Sequence, residues 1–565
     1  MSKYNVKNEK VVKKTVTHEG GSGYTQRPEA ELIGILSTGI QNTFYEKESE
    51  RETRLKNVID ELIRKNSKNK EFVAKALVYA RSVFGQRTVS HLGSVNLLPY
   101  LSGDPLGKRF FSKRDKIEKV GGIIYRLDDM NEILACYLAK NGKDAPIPNS
   151  IKKGFKEAIE NSDAYELAKY QMKGNSISLV DIVNLVHPKE SAKNGYIDVP
   201  KDTYLKATSG TKFTGREYEE LSDGNIRVPA LRALVLGVLK QLNTAEDKNT
   251  QSGKEVAEKV KSGELTKEKA VEVLNEKKTE NFKELIETKK IGYLALIRNL
   301  RNILKTGDWD LLDKACNLLV NKDFIRKSLV WPHQIDLALE IMLNEFSGRE
   351  MQKVSKFLGV AYELSIPNLE KLLPEGKTAI VYDTSGSMTG GWHGVQIPSG
   401  GKIVTTKNAP IEKAALVAAT FAKGVAGDVY HFGTSCKAVT SYNPNDSINT
   451  IKNRFKDEVG KAGHGTNYES ILPTLAQNGG SYDRIVIITD EQGHDNFERS
   501  YNKYKDKYGT PYVYFINICG YAPTMIKSGS RVFRLYGYSS DIYEKIPQLE
   551  LNVNEVIDAI NRIEI

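Results

Sequence analysis

The chain has 565 residues, of which 27% are charged and 40% belong to the hydrophobic set AVILMFWYC. This balance is typical of folded globular domains, and it excludes a wholly disordered chain, a collagen-like chain and a bundle of membrane helices. The 82 Lys and Arg residues outnumber the 71 Asp and Glu residues, which gives a formal net charge of +11. Excess positive charge attracts polyanions, although a solvated lysine-rich surface without a partner explains it equally well.

Targeting signals and paired cysteines are not found in the sequence. The N-terminal ten residues lack the apolar segment of a secretory signal, and no apolar stretch approaches the roughly 20 residues that cross a bilayer. The cysteines are scattered singly, with no CxxC pair, at Cys136, Cys316, Cys436 and Cys519. We therefore expect a soluble, cytoplasmic protein with reduced thiols and no membrane partner, disulfide framework or zinc knuckle.

Residues 1–370 are predicted to form amphipathic helices joined by short polar segments. Apolar residues recur at the spacing of a helix with one buried face, and no strand-like alternation separates the helices. The clearest examples are 29–36, 55–64, 69–84, 131–139, 179–186, 228–242, 294–304 and 335–344. So many helices favour an extended helical array with degenerate repeats. The Lys- and Glu-rich segment 246–290 is expected to be an exposed helical hairpin or a flexible insertion.

The first 370 residues also hold most of the charge excess. They carry 61 basic and 51 acidic side chains, whereas residues 371–565 carry 21 and 20. The densest basic run contains Phe110 and Phe111 and the cations Lys108, Arg109, Lys113, Arg114 and Lys116. Aromatic rings between cations favour a nucleic-acid surface, and the alternative is a solvated loop.

From residue 371 the pattern changes to short β-type runs that alternate with helices. The predicted strands, rich in Val, Ile and Tyr, are 378–382, 428–432, 484–489 and 512–518, and helices at 412–425 and 468–476 lie between them. This alternation predicts a parallel sheet covered on both faces, so residues 371–565 are expected to form an α/β domain. Ligand sites in such sheets lie at the carboxyl ends of the strands.

Oxygen-bearing side chains follow two of these predicted strands. Asp383, Ser385 and Ser387 form a D-x-S-x-S loop after the first strand, and Asp490 directly follows the strand 484–489. Thr466 precedes a helix and offers another hydroxyl. Carboxylate and hydroxyl oxygens are hard ligands that suit Mg²⁺ or Mn²⁺ rather than zinc. The five residues therefore predict a divalent-metal site, with a metal-free structural loop as the alternative.

Three parts of the sequence resemble known modules. The set Asp383, Ser385, Ser387, Thr466 and Asp490 resembles the metal-ion-dependent adhesion site of von Willebrand factor A domains and falls on its five ligand positions. Residues 179–188 (LVDIVNLVHP) and 293–303 (YLALIRNLRNI) resemble the TROVE module of Ro ribonucleoproteins. A TROVE module at 1–370 followed by an A domain at 371–565 is the Ro architecture, and the sequence resembles bacterial and phage-borne members most.

This resemblance implies a multidomain fold, a ring of HEAT-like helical repeats followed by a Rossmann-like α/β domain. It also implies two RNA ligands, a small noncoding Y-like RNA on an outer basic surface and single-stranded 3′ ends of misfolded RNA in the central hole. The positions that line the family's hole match Lys169, Lys173 and His187, with lysine at 173 where a family member has arginine. His187 could instead cap a helix. Arg298 and Arg301 could line an RNA path or pair with acidic neighbours.

No catalytic motif is evident in the sequence. The segment 399–402 lacks the features of a nucleotide-binding P-loop, and there is no HExxH motif. We therefore predict a binding protein rather than an enzyme, either an RNA-binding ribonucleoprotein scaffold or an RNA-quality-control protein. The alternative is a metal-dependent adhesion module that captures an acidic side chain of a partner, and a nuclease using the oxygen site is a weaker one. An exoribonuclease or another protein, recruited through the RNA or the A domain, is a further partner to consider.

Overall fold

The structure is a computed structural model. It describes residues 13–40, 43–171, 177–208, 218–239, 253, 256–257, 259–288, 291–328, 330, 334–335, 338–339, 342, 346–365, 373, 375–389, 396–399, 402–405, 409–425, 427–527, 529, 531–538, 541–551 and 555–565.

Contacts within the folded chain define two compact units. The first comprises Met1–Gly93, Trp331–Leu339 and Gly359–Arg562, and the second comprises Ser94–Val330, Glu340–Leu358 and Ile563–Ile565. The N-terminal residues therefore belong to the unit that contains the large sheet, whereas the sequence pattern groups them with the later helices. The predicted boundary at 370/371 stays a prediction, because this grouping reports contacts rather than separable domains.

The described residues contain short strands in both units. They are β1 (Lys14–Val16), β2 (Ser22–Tyr24), β3 (Tyr196–Pro200), β4 (Glu219–Glu220), β5 (Asn225–Pro229), β6 (Thr378–Asp383), β7 (Gln396–Ser399), β8 (Lys402–Thr405), β9 (Asp428–Phe432), β10 (Cys436–Ala438), β11 (Arg484–Thr489), β12 (Tyr512–Asn517) and β13 (Val532–Tyr536).

A six-stranded mixed sheet forms the centre of the first unit. Its strand order is β10-β9-β6-β11-β12-β13, and only the pairing of β10 with β9 is antiparallel. Every residue of β6 and β11 is buried, as expected for strands that are covered on both faces. The two strands pair in parallel with Ile488 opposite Tyr382, so their carboxyl ends lie side by side.

Helices cover this sheet on both faces. The alanine-rich helix Pro410–Gly424 packs on β6, β9 and β11. On the other face, Leu475 and Phe497 join the cluster of buried side chains from the strands. The α-helices that lie wholly in the first unit are Pro28–Thr38, Glu48–Lys65, Asn69–Ser82, Pro410–Gly424, Ile448–Lys456, Ile471–Gly479, Phe497–Tyr508, Asp541–Leu551 and Glu555–Asn561, with short 3₁₀ helices at Gly386–Thr389 and Tyr468–Ser470.

The second unit consists mainly of helices. Those that lie wholly within it are Pro105–Phe110, Asp128–Asn141, Asn149–Glu160, Ala164–Lys169, Leu179–Val186, Lys201–Thr208, Ala230–Val235, Lys267–Glu287, Tyr293–Thr306, Trp309–Leu319 and Lys322–Ser328, with a 3₁₀ helix at Leu98–Leu101. The helices Thr88–Leu97 and Arg349–Leu364 contribute residues to both units.

The helix Leu179–Val186 shows how the sequence determines where a helix of this unit begins and which face it buries. Ser178 and Asp181 form a capping box that satisfies the backbone N–H groups of the first turn. Leu179, Ile182, Val183 and Val186 are buried on one face, at the spacing predicted from the sequence. The helix ends at His187, which adopts a left-handed conformation with φ of 47°.

Several strands differ from the sequence-based expectation. β3, β5 and β4 form a small antiparallel sheet within residues 1–370, where we expected helices alone. The helix predicted at 228–242 is wrong at both ends, because residues up to Pro229 belong to β5 and the helix spans only Ala230–Val235. The strands β4 and β10, of two and three residues, are too short to display a clear twofold alternation. β10 and β13 were not predicted, whereas the four predicted strands are confirmed to within one residue.

Two predicted segments fall partly on residues that are not described. Of the charged segment 246–290, the helix Lys267–Glu287 is described, and it is exposed along most of its length with Phe282, Leu285 and Ile286 buried near its end. The predicted helix 335–344 lies largely outside the described residues. Within the described part of the chain, no helix has both the length and the apolar composition needed to span a bilayer.

Candidate functional site

Asp383 and Asp490 lie at the carboxyl ends of neighbouring strands. Asp383 is the last residue of β6, and Asp490 directly follows β11. Both carboxylates are fully buried. Since β6 and β11 pair in parallel, both aspartates are at the sheet edge where α/β proteins bind ligands.

The three predicted hydroxyl ligands lie in loops at this edge. Ser385 and Ser387 follow β6, and their Oγ atoms are 3.3 Å apart. The backbone N–H of Gly386 donates a 2.9 Å hydrogen bond to the carbonyl of His464, which ties this loop to the segment that carries Thr466. All three hydroxyl residues are buried, with at most 4% of their surface exposed.

Hydrogen bonds fix three of the four carboxylate oxygens of the aspartates. Oδ1 of Asp383 accepts from the backbone N–H of Ser385 at 2.9 Å, and Oδ2 accepts from the hydroxyl of Thr489 at 2.6 Å. Oδ1 of Asp490 accepts from the backbone N–H of Gln492 at 3.0 Å. Oδ2 of Asp490 is buried and has no hydrogen-bond partner among the described residues. An unpartnered buried carboxylate oxygen is unfavourable, so this oxygen fits a cation.

Burial and neighbouring negative charges raise the pKa values of both carboxyl groups. Burial raises the pKa of Asp383, and the nearby charge of Glu19 adds to this effect. Burial likewise raises the pKa of Asp490, and repulsion from Asp383 adds to it. A divalent cation would offset both negative charges, and the all-oxygen donor set fits Mg²⁺ or Mn²⁺.

Such a cation would depend on hydroxyl oxygens. Among the described residues, no three His, Cys, Asp or Glu side chains are arranged to hold a metal ion. The two aspartates would therefore need the hydroxyls of Ser385, Ser387 and Thr466 as further ligands. Metal binding by this set stays a prediction.

The backbone after Asp490 adopts an uncommon conformation. Glu491 is left-handed with φ of 58°, which is unfavourable for a residue with a side chain. Its carboxylate is fully buried and accepts hydrogen bonds from Nε of Arg534 at 2.8 Å and from Nδ2 of Asn517 at 3.1 Å. These contacts hold the turn that follows Asp490 in place.

Glu19 lies at the same site, and it was not predicted from the sequence. It lies in the turn between β1 and β2, 447 positions before Thr466, whose hydroxyl donates a 3.2 Å hydrogen bond to Oε1 of Glu19. No motif surrounds Glu19 in the sequence. Its position depends on the way the N-terminal hairpin packs, so only the tertiary structure identifies it.

In the second unit, Lys169 belongs to a group of cations and tyrosine rings. We call this group the cation–tyrosine cluster. Nζ of Lys169 lies 5.3 Å from the ring centre of Tyr165 and 5.5 Å from that of Tyr170, and the guanidinium of Arg126 lies 5.1 Å from Tyr170. Its members are Lys116, Tyr125, Arg126, Tyr165, Lys169 and Tyr170. Cations over aromatic faces are the elements of a single-stranded nucleic-acid surface.

The cluster is only partly neutralised within the protein. Arg126 pairs with Asp128 at 2.6 Å. Loss of hydration lowers the pKa of Lys116, attraction to Glu166 opposes this, and repulsion from neighbouring cations, Lys169 among them, lowers it further. Tyr165 is 36% exposed, with Nζ of Lys169 over its ring. This arrangement favours an anionic partner.

His187 and Lys173 complete the trio predicted for the RNA hole. The side chain of His187 is exposed, and its backbone N–H, rather than its ring, closes the preceding helix by donating to the carbonyl of Val183 at 2.9 Å. The helices that lead to Lys169 and His187 both pack against the helix Ala230–Val235. Lys173 lies outside the described residues.

Most residues of the basic run near Phe110 are buried or form contacts within the protein. Phe110 and Phe111 are fully buried, so these two rings are core residues and do not contribute to an exposed surface. Arg114 is also buried, and its guanidinium donates to the backbone carbonyls of Gly121, Lys119 and Glu564. Buried apolar residues and exposed cations alternate here within one short helix and loop. From the sequence alone, this pattern looks the same as exposed aromatic rings between surface cations.

The remaining cations of this run have protein partners as well. Lys113 donates to Glu166 and to the carbonyl of Asn161, and exposed Lys108 pairs with Glu157 at 2.8 Å. Arg109 is exposed at the end of the helix Pro105–Phe110. A structural role is therefore favoured for Arg114 and Lys113, and the RNA role of the run stays a prediction.

A solved structure resembles the whole chain. The crystal structure of the Deinococcus radiodurans Ro (Rsr) protein matches it with a TM-score of 0.55 and 14% sequence identity, over 92% of this chain and 100% of that one. The chain has the Ro fold. No protein-family model matches the sequence, and no curated protein is significantly similar to it.

At the level of the fold, this match confirms the resemblance to Ro proteins that was inferred from the sequence. A helix-rich unit and a six-stranded mixed sheet are both present in this chain. Arg298 and Arg301 lie in the helix Tyr293–Thr306 of the segment that carries the TROVE resemblance, and both are exposed. Asn299 between them is buried, and its amide donates to the carbonyl of Ala295 at 2.9 Å. The two arginines are thus on the exposed side of this helix, whereas its apolar residues and Asn299 are on the buried side.

Proposed function

We propose that this protein is an RNA-binding component of a cytoplasmic ribonucleoprotein. Its helices form a HEAT-like ring that is followed by a von Willebrand factor A-like domain. Small noncoding, Y-like RNA binds an outer basic surface, and single-stranded or misfolded RNA ends enter the central hole. The Ro fold and the charge excess of residues 1–370 support this proposal, and the observation that carries it is the cation–tyrosine cluster around Lys169.

The cluster has the chemistry to hold a single strand. An unpaired base stacks on the partly exposed ring of Tyr165, while Lys169 and Arg126, which lie over the ring of Tyr170, contact the phosphates. A stacked base contributes roughly 1–3 kcal/mol, and it needs no particular sequence. A duplex keeps its bases stacked internally, so it does not use the tyrosine rings. The activity is binding rather than catalysis.

A comparison of tailed and blunt forms of one stem-loop RNA tests this proposal. The triple variant Lys169→Ala, Lys173→Ala and His187→Ala is expected to weaken binding of the RNA with a 3′ single-stranded tail and to spare the blunt form. Filter binding at fixed salt measures both affinities. Lys143→Ala, which removes an exposed lysine of the same unit outside the cluster, is the matched control.

Equal losses for the tailed and blunt RNAs would show that the three residues serve general charge or the fold, and would reject the single-strand site. If native protein binds neither RNA, the proposed function itself is rejected. Sequencing of RNA crosslinked to the protein in cells would identify the ligand, and any exoribonuclease recruited through it would copurify.

A second candidate function is metal-dependent capture of an acidic partner protein. The unpartnered Oδ2 of Asp490, next to Asp383 and three buried hydroxyls, favours it. A bound divalent cation would supply positive charge that attracts a carboxylate. Isothermal titration with Mn²⁺ tests the site: Asp383→Ala and Asp490→Asn are expected to abolish binding, whereas RNA affinity stays native. Native Mn²⁺ affinity in both variants would reject the metal centre.

A further inference from the structure

The N-terminal hairpin of β1 and β2 is docked on the loops around the candidate metal centre. The hydroxyl of Thr17 donates to the carbonyl of Gly493 at 2.5 Å, and the backbone N–H of His18 donates to Oε1 of Gln492 at 2.9 Å. Both partners lie within three residues of Asp490. A Cβ at Gly21 would come within 2.2 Å of the carbonyl of Gly493, so the hairpin approaches as closely as glycine allows.

A second pair of contacts anchors the far end of the hairpin. The backbones of Tyr24 and Thr524 exchange hydrogen bonds of 2.8 and 3.1 Å, and the hydroxyl of Tyr24 donates to Glu498. The turn itself is held by an aromatic stack, because the ring of His18 lies parallel to that of Tyr45 with centres 5.1 Å apart. The hairpin is therefore a fixed part of the first unit rather than a loose terminus.

This docking directs the carboxylate of Glu19 toward the metal centre. Oε1 accepts from the hydroxyl of Thr466 at 3.2 Å and from the hydroxyl of Tyr45 at 2.7 Å, and Oε2 lies 3.8 Å from Nδ1 of His494. Only 21% of the Glu19 side chain is exposed. The five candidate ligands are exposed by 4% or less. Glu19 is thus the more exposed acidic group at this centre, and its charge acts on both Asp383 and Asp490.

We propose that Glu19 is a built-in acidic partner of the metal centre, so that the hairpin occupies the place that an external carboxylate would take. This inference rests on the proposed metal centre. Glu19 would act through the Thr466 hydroxyl, to which it is hydrogen-bonded, and its negative charge would favour a divalent cation at the centre. Capture of an acidic partner then requires the hairpin to move away, which makes β1 and β2 an autoinhibitory element.

Chemical rescue of metal binding tests this inference. Glu19→Ala is expected to weaken Mn²⁺ binding about tenfold, the effect of losing roughly one charge-assisted contact. Added acetate is expected to restore affinity in this variant and to leave the native protein unchanged, with chloride at equal ionic strength as the reference. Glu29→Ala removes the same charge from the neighbouring helix Pro28–Thr38 and should bind Mn²⁺ as the native protein does. Isothermal titration measures each affinity.

Glu19→Gln keeps the size of the side chain and separates a charge effect from misfolding. It should lose Mn²⁺ affinity while hydrogen exchange of the hairpin amides stays native without metal. Equal Mn²⁺ affinity in native and Glu19 variants, or a loss that acetate does not restore, overturns the role of Glu19 alone. Absence of Mn²⁺ binding by the native protein overturns the metal centre and this inference together.

Discussion

The hydroxyl of Thr489 donates a 2.6 Å hydrogen bond to Oδ2 of Asp383, from the last residue of one strand to the last residue of its neighbour. Both residues are fully buried. The bond fixes the carboxylate of Asp383 in one orientation at the sheet edge. Thr489 is thus a positioning residue for the candidate metal centre, although it is not among the five residues that resemble metal ligands.

Thr489→Val should weaken Mn²⁺ binding without abolishing it. Valine keeps the shape of threonine but loses the hydroxyl, which also accepts from the backbone N–H of Glu491 at 3.1 Å and contacts the hydroxyl of Tyr468. The lost hydrogen bond to the charged Asp383 alone contributes roughly 1.5 kcal/mol, or about tenfold in affinity. Isothermal titration measures the change, and Thr489→Ser is expected to restore binding. Thr420→Val, which removes a buried hydroxyl that bonds to the carbonyl of Leu416, is the matched control. Complete loss of binding in Thr489→Val would indicate misfolding of the sheet edge instead.

The salt dependence of RNA binding should separate phosphate contacts from base stacking. Each phosphate contact to a single strand changes the slope of log K against log salt by about 0.7. Lys169→Ala is therefore expected to reduce this slope by about one contact. Tyr165→Ala should lower affinity for single-stranded RNA at every salt concentration and leave the slope unchanged, because stacking releases no counterions. Identical slopes for native protein and Lys169→Ala would show that Lys169 contacts no phosphate.

Arg114 should matter for stability more than for RNA. Its guanidinium donates to three backbone carbonyls, and burial lowers the pKa of Arg114. Arg114→Ala leaves these carbonyls without a donor, so we expect a loss of about 3 kcal/mol in the free energy of unfolding. Lys108→Ala breaks only an exposed ion pair and should change stability by less than about 1 kcal/mol. Urea denaturation measures both. If Arg114→Ala keeps native stability but loses RNA affinity, Arg114 serves RNA binding rather than the fold.

His431 should make the first unit less stable in mild acid. Its ring is buried in β9, and burial lowers its pKa, although Glu458 at 3.6 Å partly opposes this. The unfolded chain takes up a proton near the ordinary histidine pKa of about 6.5, while the folded chain resists protonation until lower pH. The contribution of His431 to stability is therefore lost as the pH falls below about 6.5, whereas the raised pKa values of Asp383 and Asp490 act in the opposite direction. Denaturation between pH 7.5 and 5 should show a smaller pH dependence in His431→Gln. An equal slope in both proteins would exclude this residue as the cause.

Local patterns in the sequence determined much of the fold. The strands at 428–432 and 484–489 and the helix at 179–186 match the structure residue for residue, because buried strands and one-sided helices impose their own periodicity on apolar residues. The position of Asp383 and Asp490 also follows from the sequence. Each directly follows or ends a buried parallel strand, and parallel strands end at a common edge.

Other features depend on packing between distant segments, and no local pattern records them. Glu19 meets Thr466 across 447 positions because the hairpin docks on the sheet edge. Lys116 and Tyr125 join Tyr165 and Lys169 only through the folding of separate loops and helices. Phe110 looks like a surface ring between cations in the sequence and is a core residue in the structure. Periodicity reports the geometry of one element, whereas burial and convergence are decided by which faces of different elements pack together.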